Sequence, residues 1–285
     1  MTHDTELGLR YAVGTDLGLH REVNEDSAYA SPRLLAVADG MGGHAHGEVA
    51  SSIAVAAMAK LDDRLAATDR QGVDPLAALA GAVSAIARRL AEVADQEPQL
   101  RGMGTTLTAL LPFGPGFAVA HLGDSRGYLL RGGELRQLTH DHTLVQALVD
   151  DGQLPREQAA QHPRRSMLMK ALQSTGSGEP DLFLHQAATG DRYLLCSDGL
   201  TDVTPDEDVR GALAEAADPD AAVRQLIELA NRAGGPDNIT CVVVDVRDRP
   251  SGRGGRRIVR GAAEGTVDVR TSRLPGWLRR LLAQA

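Results

Sequence analysis

The sequence predicts an α+β fold in which one β-sheet packs on another and helices cover the outside. Three observations predict it. Candidate elements run in the order strands, two helices, strands, a polar insertion, strands, two helices and a last strand, so strands and helices are grouped rather than strictly alternating. With 42% hydrophobic and 24% charged residues among 285, the chain has the composition and length to bury a large core. Aromatic residues make up only 3%, so that core must be built mostly from Ala, Val, Leu and Ile.

Residues 11–18 read as a first strand and turn, and Arg21-Glu22-Val23-Asn24-Glu25-Asp26 follows. Residues 27–31 and 34–39 read as strands. The second contains the apolar run Leu34-Leu35-Ala36-Val37-Ala38 and ends on Asp39-Gly40-Met41-Gly42-Gly43-His44. Apolar residues at helical spacing predict helices over 48–65 and 74–95, the latter opened by Asp74-Pro75, with Pro at the first helical position. Gly102-Met103-Gly104-Thr105-Thr106 opens a strand-rich block: 106–111 and 117–122 joined by a turn over 112–116, then Gly123-Asp124-Ser125-Arg126, then a hairpin of 128–130 and 134–138. The stretch 139–177 is polar and rich in His, Gln and Arg, with short helices near 142–151 and after Pro155, and reads as a surface insertion. Strands at 182–186 and 192–196 lead into Ser197-Asp198-Gly199, helices over 205–216 and 219–233, Gly235-Pro236-Asp237-Asn238, and a last strand over 239–246. From 247 the character changes. Arg, Gly and Ser dominate to 265 and predict a disordered linker, and 274–282 places apolar and basic residues at helical spacing, a segment able to touch a membrane surface or a partner. The reading is therefore one domain over 1–246, with the insertion at 139–177, and a basic, disordered tail over 247–285.

The net charge of −8 conceals an asymmetry. The tail carries ten Arg against Asp248, Glu264 and Asp268, a net of +7, which leaves −15 on the rest. An acidic body argues against a nucleic-acid partner. Cys196 and Cys241 lie in apolar runs without metal-site spacing and read as small buried hydrophobes, which fits a reducing cytoplasm. The N-terminus lacks the basic-then-apolar signal pattern, and no apolar run reaches the ~18 residues of a membrane span.

Glu25, Asp26, Asp39, Asp124, Asp198 and Asp237 all stand at strand ends or tight turns, most beside Gly or Pro. Asp and Gly are ordinary turn residues, so any one of them alone could be only a turn. Several carboxylates converging in one fold, however, repel each other unless cations hold them together, and hard ions such as Mg²⁺ or Mn²⁺ prefer carboxylate, carbonyl and water oxygens. Two divalent ions sharing a carboxylate lower the pKa of a bound water and neutralise a phosphoryl group. An Arg nearby can grip that group's oxygens in bidentate fashion, and Arg21 is the candidate. The chemistry these residues suggest is metal-assisted hydrolysis of a phosphate ester by water, without a covalent phosphoenzyme.

The set RxxNED (21–26), DGMGGH (39–44), GMGTT (102–106), GDSR (123–126), SDGL (197–200) and GPDNIT (235–240) resembles the metal-dependent protein phosphatases, the type 2C Ser/Thr enzymes, in particular their bacterial branch. The resemblance runs in the family's order from about Tyr11 to Val246. It implies a four-layer α/β/β/α sandwich, two antiparallel sheets face to face with helix pairs outside, and two Mn²⁺ or Mg²⁺ ions at one edge. By the same resemblance Asp39 is the bridging ligand, the Gly40 carbonyl and Glu25 serve one ion, and Asp198 and Asp237 serve the other. Asp26 orients bound water, Asp124 with Asp198 holds a weaker third ion, and Arg21 binds phosphate. The insertion 139–177 corresponds to the family's variable flap. Met41 stands where eukaryotic relatives carry the His thought to protonate the leaving alkoxide, so His44, His46 or a metal-bound water must supply that proton. The resemblance implies a phosphatase of phosphoserine and phosphothreonine acting on Ser/Thr kinases and their substrates. The cysteine usage and missing signal pattern add the expectation of a cytoplasmic protein, read here as a monomer. Two alternatives remain at this level: a partner-switching phosphatase acting on an anti-sigma antagonist, and a silent phosphoprotein-binding pseudophosphatase. Some members continue into a membrane span and an outer domain, so this chain is either a soluble member or a truncated form.

Overall fold

The computed structural model describes residues 7–42, 46–68, 72–159, 161–248 and 256–265. β1 (Gly8–Asp16), β2 (Asp26–Ser31) and β3 (Leu34–Met41) lead into two long helices, α1 (Gly47–Ala67) and α2 (Pro75–Gln96). β4 (Gly104–Thr105), β5 (Leu107–Phe113), β6 (Gly116–Leu122), β7 (Arg126–Arg131) and β8 (Glu134–Gln137) follow. The insertion contributes α3 (Leu144–Asp150), α4 (Arg156–Ala159) and the short β9 (Leu172–Gln173). β10 (Asp181–Gln186), β11 (Arg192–Cys196), α5 (Asp198–Thr201), α6 (Asp206–Glu215), α7 (Pro219–Arg232), β12 (Ile239–Arg247) and β13 (Ile258–Gly261) complete the described chain.

One sheet has the order β1-β12-β11-β7-β8 and the other β10-β6-β5-β3-β2-β13, with β4 joined to β3 and β9. Every strand pair is antiparallel. Strand alternation builds the layers. On β3, Leu34, Ala36 and Ala38 pack with α1 and α2, whereas Leu35 and Val37 face the other sheet. On β11, Leu194 and Cys196 pack against α5–α7, whereas Tyr193 and Leu195 face inward. The inter-sheet layer joins Ala28, Ala30, Leu35, Val37, Phe117, Val119, Tyr193, Leu195, Val242 and Val244. The result is a four-layer α/β/β/α sandwich. α2 begins as its sequence implies: the Asp74 carboxylate accepts the amides of Leu76 and Ala77, with Pro75 in the first turn.

Two expectations are corrected. Pro112 and Phe113 belong to β5 rather than to the turn, because Phe113 pairs with Gly116. The tail is not structureless throughout: β12 runs through Arg247, and β13, from the segment read as disordered linker, pairs with β2. An Arg- and Gly-rich composition hides a strand whose hydrogen-bond partners come from a distant edge. The segment 274–282 lies outside the described residues. Among the described residues no helix is long and apolar enough to cross a membrane.

Candidate active site

The acidic residues singled out in the sequence gather at one end of the sandwich, where the ends of both sheets meet. β2 begins on Asp26 and β3 carries Asp39, and the register pairs these two residues directly. The turn between β6 and β7 supplies Asp124, the exit of β11 supplies Asp198, and the approach to β12 supplies Asp237. Arg21, Glu25, Asp39, Gly40, Asp124, Asp198 and Asp237 all line one cleft of about 470 Å³. Asp26, only 1% exposed, lies behind them between the sheets.

Each carboxylate is held by neighbours that the motifs supply. The amide of Asp39 donates to Thr106 Oγ1 (3.0 Å) and its carbonyl accepts from the Thr106 amide and Thr105 Oγ1 (both 2.9 Å). Thr106 Oγ1 also bonds Ser125 Oγ (2.5 Å), so one threonine ties Asp39 to the turn that carries Asp124. Asp26 Oδ2 accepts from Ser197 Oγ (2.7 Å), which in turn accepts the amide of Thr240 (3.0 Å). Asn238 pins the β1–β2 loop: its Oδ1 accepts the Glu25 amide (2.8 Å), and its Nδ2 donates to the carbonyls of Leu17 and Val23 (both 3.1 Å). The Glu25 carboxylate accepts the amide of Gly47, the first residue of α1, at 3.1 Å. Gly40 is required at its place, since a Cβ there would stand 2.2 Å from the Gly47 carbonyl oxygen.

The electrostatics are those of a crowded set of negative groups. Burial, with Asp198 and Asp237 adding to it, lifts Asp26 to about 7 against the pull of Ser197 and Thr240. Burial and the neighbouring Asp202 and Asp237 lift Asp198 to about 6. Asp39, enclosed beside Asp26, Asp198 and Asp124, is raised well above the carboxylate range and shares a hydrogen bond with Asp198. Asp124 is raised likewise by burial and by Asp198. Burial also raises Glu25, with the Gly47 amide opposing. Arg21 is the cation at this cleft: Nη2 bonds Asp237 Oδ2 at 2.6 Å. Burial lowers the Arg21 guanidinium, yet Asp237, Glu25 and Asp198 hold it above its ordinary value.

These residues fit hard divalent cations. The donors are carboxylate and carbonyl oxygens, and the cleft gathers Glu25, Asp39, Asp124, Asp198 and Asp237 with Arg21 as the one cation among its lining residues. Among the described residues no three His, Cys, Asp or Glu side chains form a group able to hold one ion by themselves. Each ion would therefore take few side chains and complete its shell with carbonyl oxygen and water, as Mg²⁺-like ions do.

Of the residues expected at the site, His44 lies outside the described residues. His46 is described and is exposed at the start of α1, its Nδ1 bonded to Glu48 Oε1 (2.9 Å) rather than directed at the cleft. Sequence reasoning gave no role to Thr106, Ser197, Asn238 or Asp202. Asp202 is a further half-buried carboxylate, four residues past Asp198 and 3.5 Å from Arg165 of the insertion. The Ser-Asp-Gly-Leu-Thr-Asp run carried that signal.

A layered sandwich with acids gathered at one edge is the architecture of a phosphatase fold, and the chain belongs to the protein phosphatase 2C family, whose profile matches residues 21–235. Among curated relatives, the serine/threonine protein phosphatase PstP of Mycobacterium tuberculosis is 53% identical over 266 residues, 93% of this chain and 50% of that one. The chain thus spans about half the length of that relative. A crystal structure of Mycobacterium tuberculosis PstP/Ppp superposes with a TM-score of 0.79 at 53% identity, covering 84% of this chain and 99% of that one. A second structure, the PstP catalytic domain in complex with two manganese ions, gives a TM-score of 0.77 at 52% identity, covering 85% and 99%.

Proposed function

We propose that this chain is a metal-dependent protein phosphatase that hydrolyses phosphoserine and phosphothreonine esters, with bacterial Ser/Thr kinases and their substrates as its phosphoproteins. The observation that carries this reading is the convergence of Glu25, Asp39, Asp124, Asp198 and Asp237 on one cleft with Arg21 beside them. Asp39 would bridge two Mn²⁺ or Mg²⁺ ions, with Glu25 and the Gly40 carbonyl serving one, Asp198 and Asp237 the other, and Asp124 with Asp198 a weaker third. When bound, the ions supply positive charge to the phosphoryl group and acidify the attacking water. Arg21 exchanges its bond to Asp237 for the phosphoryl oxygens, which a guanidinium can hold by two parallel hydrogen bonds. Asp26, steadied by Ser197 behind the cleft, would orient the attacking water. His44 gives a proton to the leaving alkoxide. The chain acts as a monomer.

The test is release of p-nitrophenol from p-nitrophenyl phosphate, and of phosphate from phosphopeptides, with added Mn²⁺. Asp39→Asn and Asp237→Asn should lose more than the roughly 10–100-fold typical of residues that only support a metal ligand. Parental turnover in either variant would reject the ligand assignments. His44→Ala should remove the alkaline limb of the rate–pH profile. An unchanged profile assigns the proton to another donor.

A further inference from the structure

Outside the cleft, β13 is the element that the hydrolytic reading leaves without a task. It lies beyond the residues that the family profile matches, yet it is docked in full register: Ile258 opposite Ala30, Val259 opposite Tyr29, Arg260 opposite Ala28 and Gly261 opposite Ser27. It covers the flank of β2 that would otherwise be the edge of its sheet.

Its contacts run to the back of the acidic corner. Gly261, at φ +81°, rests on the Asp26 carbonyl, where a Cβ would stand 2.1 Å from the oxygen. The Ala262 amide donates to that same carbonyl at 2.8 Å. The Ala263 amide donates to Ser27 Oγ at 3.1 Å, and Ala263 itself is fully buried against the helix-side core. Ser27 Oγ bonds Ser51 Oγ at 2.9 Å, and Ser51 Oγ donates to the Glu25 carbonyl at 2.5 Å. Three consecutive residues thus complete the hydrogen bonding of the backbone that presents Glu25 and Asp26. The far end is anchored separately. Arg257 pairs with Asp63 and, at 3.5 Å, with Asp62, and it stands 5.6 Å from the centre of the Tyr29 ring. Tyr11 donates its hydroxyl to the Arg256 carbonyl at 2.9 Å.

We propose that residues 256–265 are a positioning clasp: docked on β2, they hold the Glu25–Asp26 corner in the geometry that binds metal and aligns water. The proposal rests on the reading of the cleft as a metal-dependent hydrolase. Such sites need their groups held to within about 0.5 Å. With the clasp detached, the Asp26 carbonyl and Ser27 hydroxyl lose partners, β2 becomes an open edge, and the corner loosens. Metal affinity falls first, and turnover falls with it.

The test uses the full chain. Gly261→Val and Ala263→Asp detach the clasp, and Arg260→Ala is the control, since that exposed side chain bonds the Val259 carbonyl and Glu264, both within the clasp itself, and touches neither Asp26 nor Ser27 among the described contacts. Hydrogen exchange over 258–263 reports detachment, calorimetry reports Mn²⁺ binding, and p-nitrophenyl phosphate reports turnover. The expected result is lost protection at 258–263, Mn²⁺ affinity weaker by about 10-fold or more, and a lower kcat, with the control unchanged. Lost protection with unchanged Mn²⁺ affinity and kcat overturns the proposal. Where either variant fails to fold, the milder pair Arg257→Ala and Tyr11→Phe, acting from the far end, carries the same comparison. A parent that binds Mn²⁺ but releases no p-nitrophenol defeats the hydrolase reading, while the calorimetric comparison still decides the clasp.

Discussion

Ser197 shows how much of this site hangs on small hydroxyls. It stands between β11 and Asp198, donates to Asp26 and accepts from Thr240, and so joins both sheets at the point where the acids meet. The carboxylate it steadies has a folded-state pKa of about 7 against an ordinary value of 3.8. A carboxyl that keeps its proton more tightly in the native state than in the unfolded one is a burden when ionised. The burden is absent below pH 3.8, grows across the interval and is complete above about 7. In EDTA, Asp26→Asn should therefore raise the Tm at pH 8, with the gain shrinking towards pH 4. A gain independent of pH would show that the charge is not its cause. His121, buried between the sheets with its pKa pushed down to about 4 by burial and by His142, slopes the other way. Its contribution is present above its unfolded value of 6.5 and is lost as pH falls towards 4, so only the difference between variant and parent isolates Asp26.

Asp39, Asp124 and Asp198 were legible from sequence because their signal is local, a carboxylate beside Gly at the end of an apolar run, whereas Glu25, Asp26 and Asp237 stood out only as members of the ordered motif set. Their supports were not legible. Ser197 meets Asp26 across 171 residues and Thr106 meets Asp39 across 67, and nothing near either hydroxyl in the chain names its partner.

Among the elements, the helices and most strands follow from their own residues, as α2 does from Asp74-Pro75 and its apolar spacing. The insertion 139–177 was recognisable as a surface segment, but its route was not. Thr143 bridges Leu168, Leu144 donates to the Met167 carbonyl, and Met169 donates to the His142 carbonyl. These bonds lay Ser166 and Leu168 along the cleft while Met167 and Met169 stay half-exposed. Leu168→Ala should raise the KM for phosphopeptides and leave that for p-nitrophenyl phosphate unchanged, because only the larger substrate reaches the flap. Equal changes for both would place Leu168 in support of the acids instead. β13 was the least legible element, since only Ile258 and Val259 favour a strand within an Arg- and Gly-rich stretch and its partner is the distant edge of β2.

Over the whole molecule, one inter-sheet layer both holds the sandwich together and ends at the cleft. Leu195 is 1% exposed in that layer, two residues before Ser197. Leu195→Ala should cost about 2–5 kcal/mol in urea unfolding, with little change in the slope against denaturant. A cost below that range would mean that the layer closes around the gap.

That layer also sets a rule of parity. Leu35, Val37 and Asp39 point the same way along β3, as Ala30, Ala28 and Asp26 do along β2. Side chains keep to their face only while the count of residues stays even. Deleting or inserting a single residue between Leu35 and Asp39 would turn the acid outward, into the helices, and bring Ala38 or Gly40 into its place. Natural variation in these two strands should accordingly keep the apolar or acidic character of each face while swapping residues within it, and changes in their length should arrive in twos or not at all.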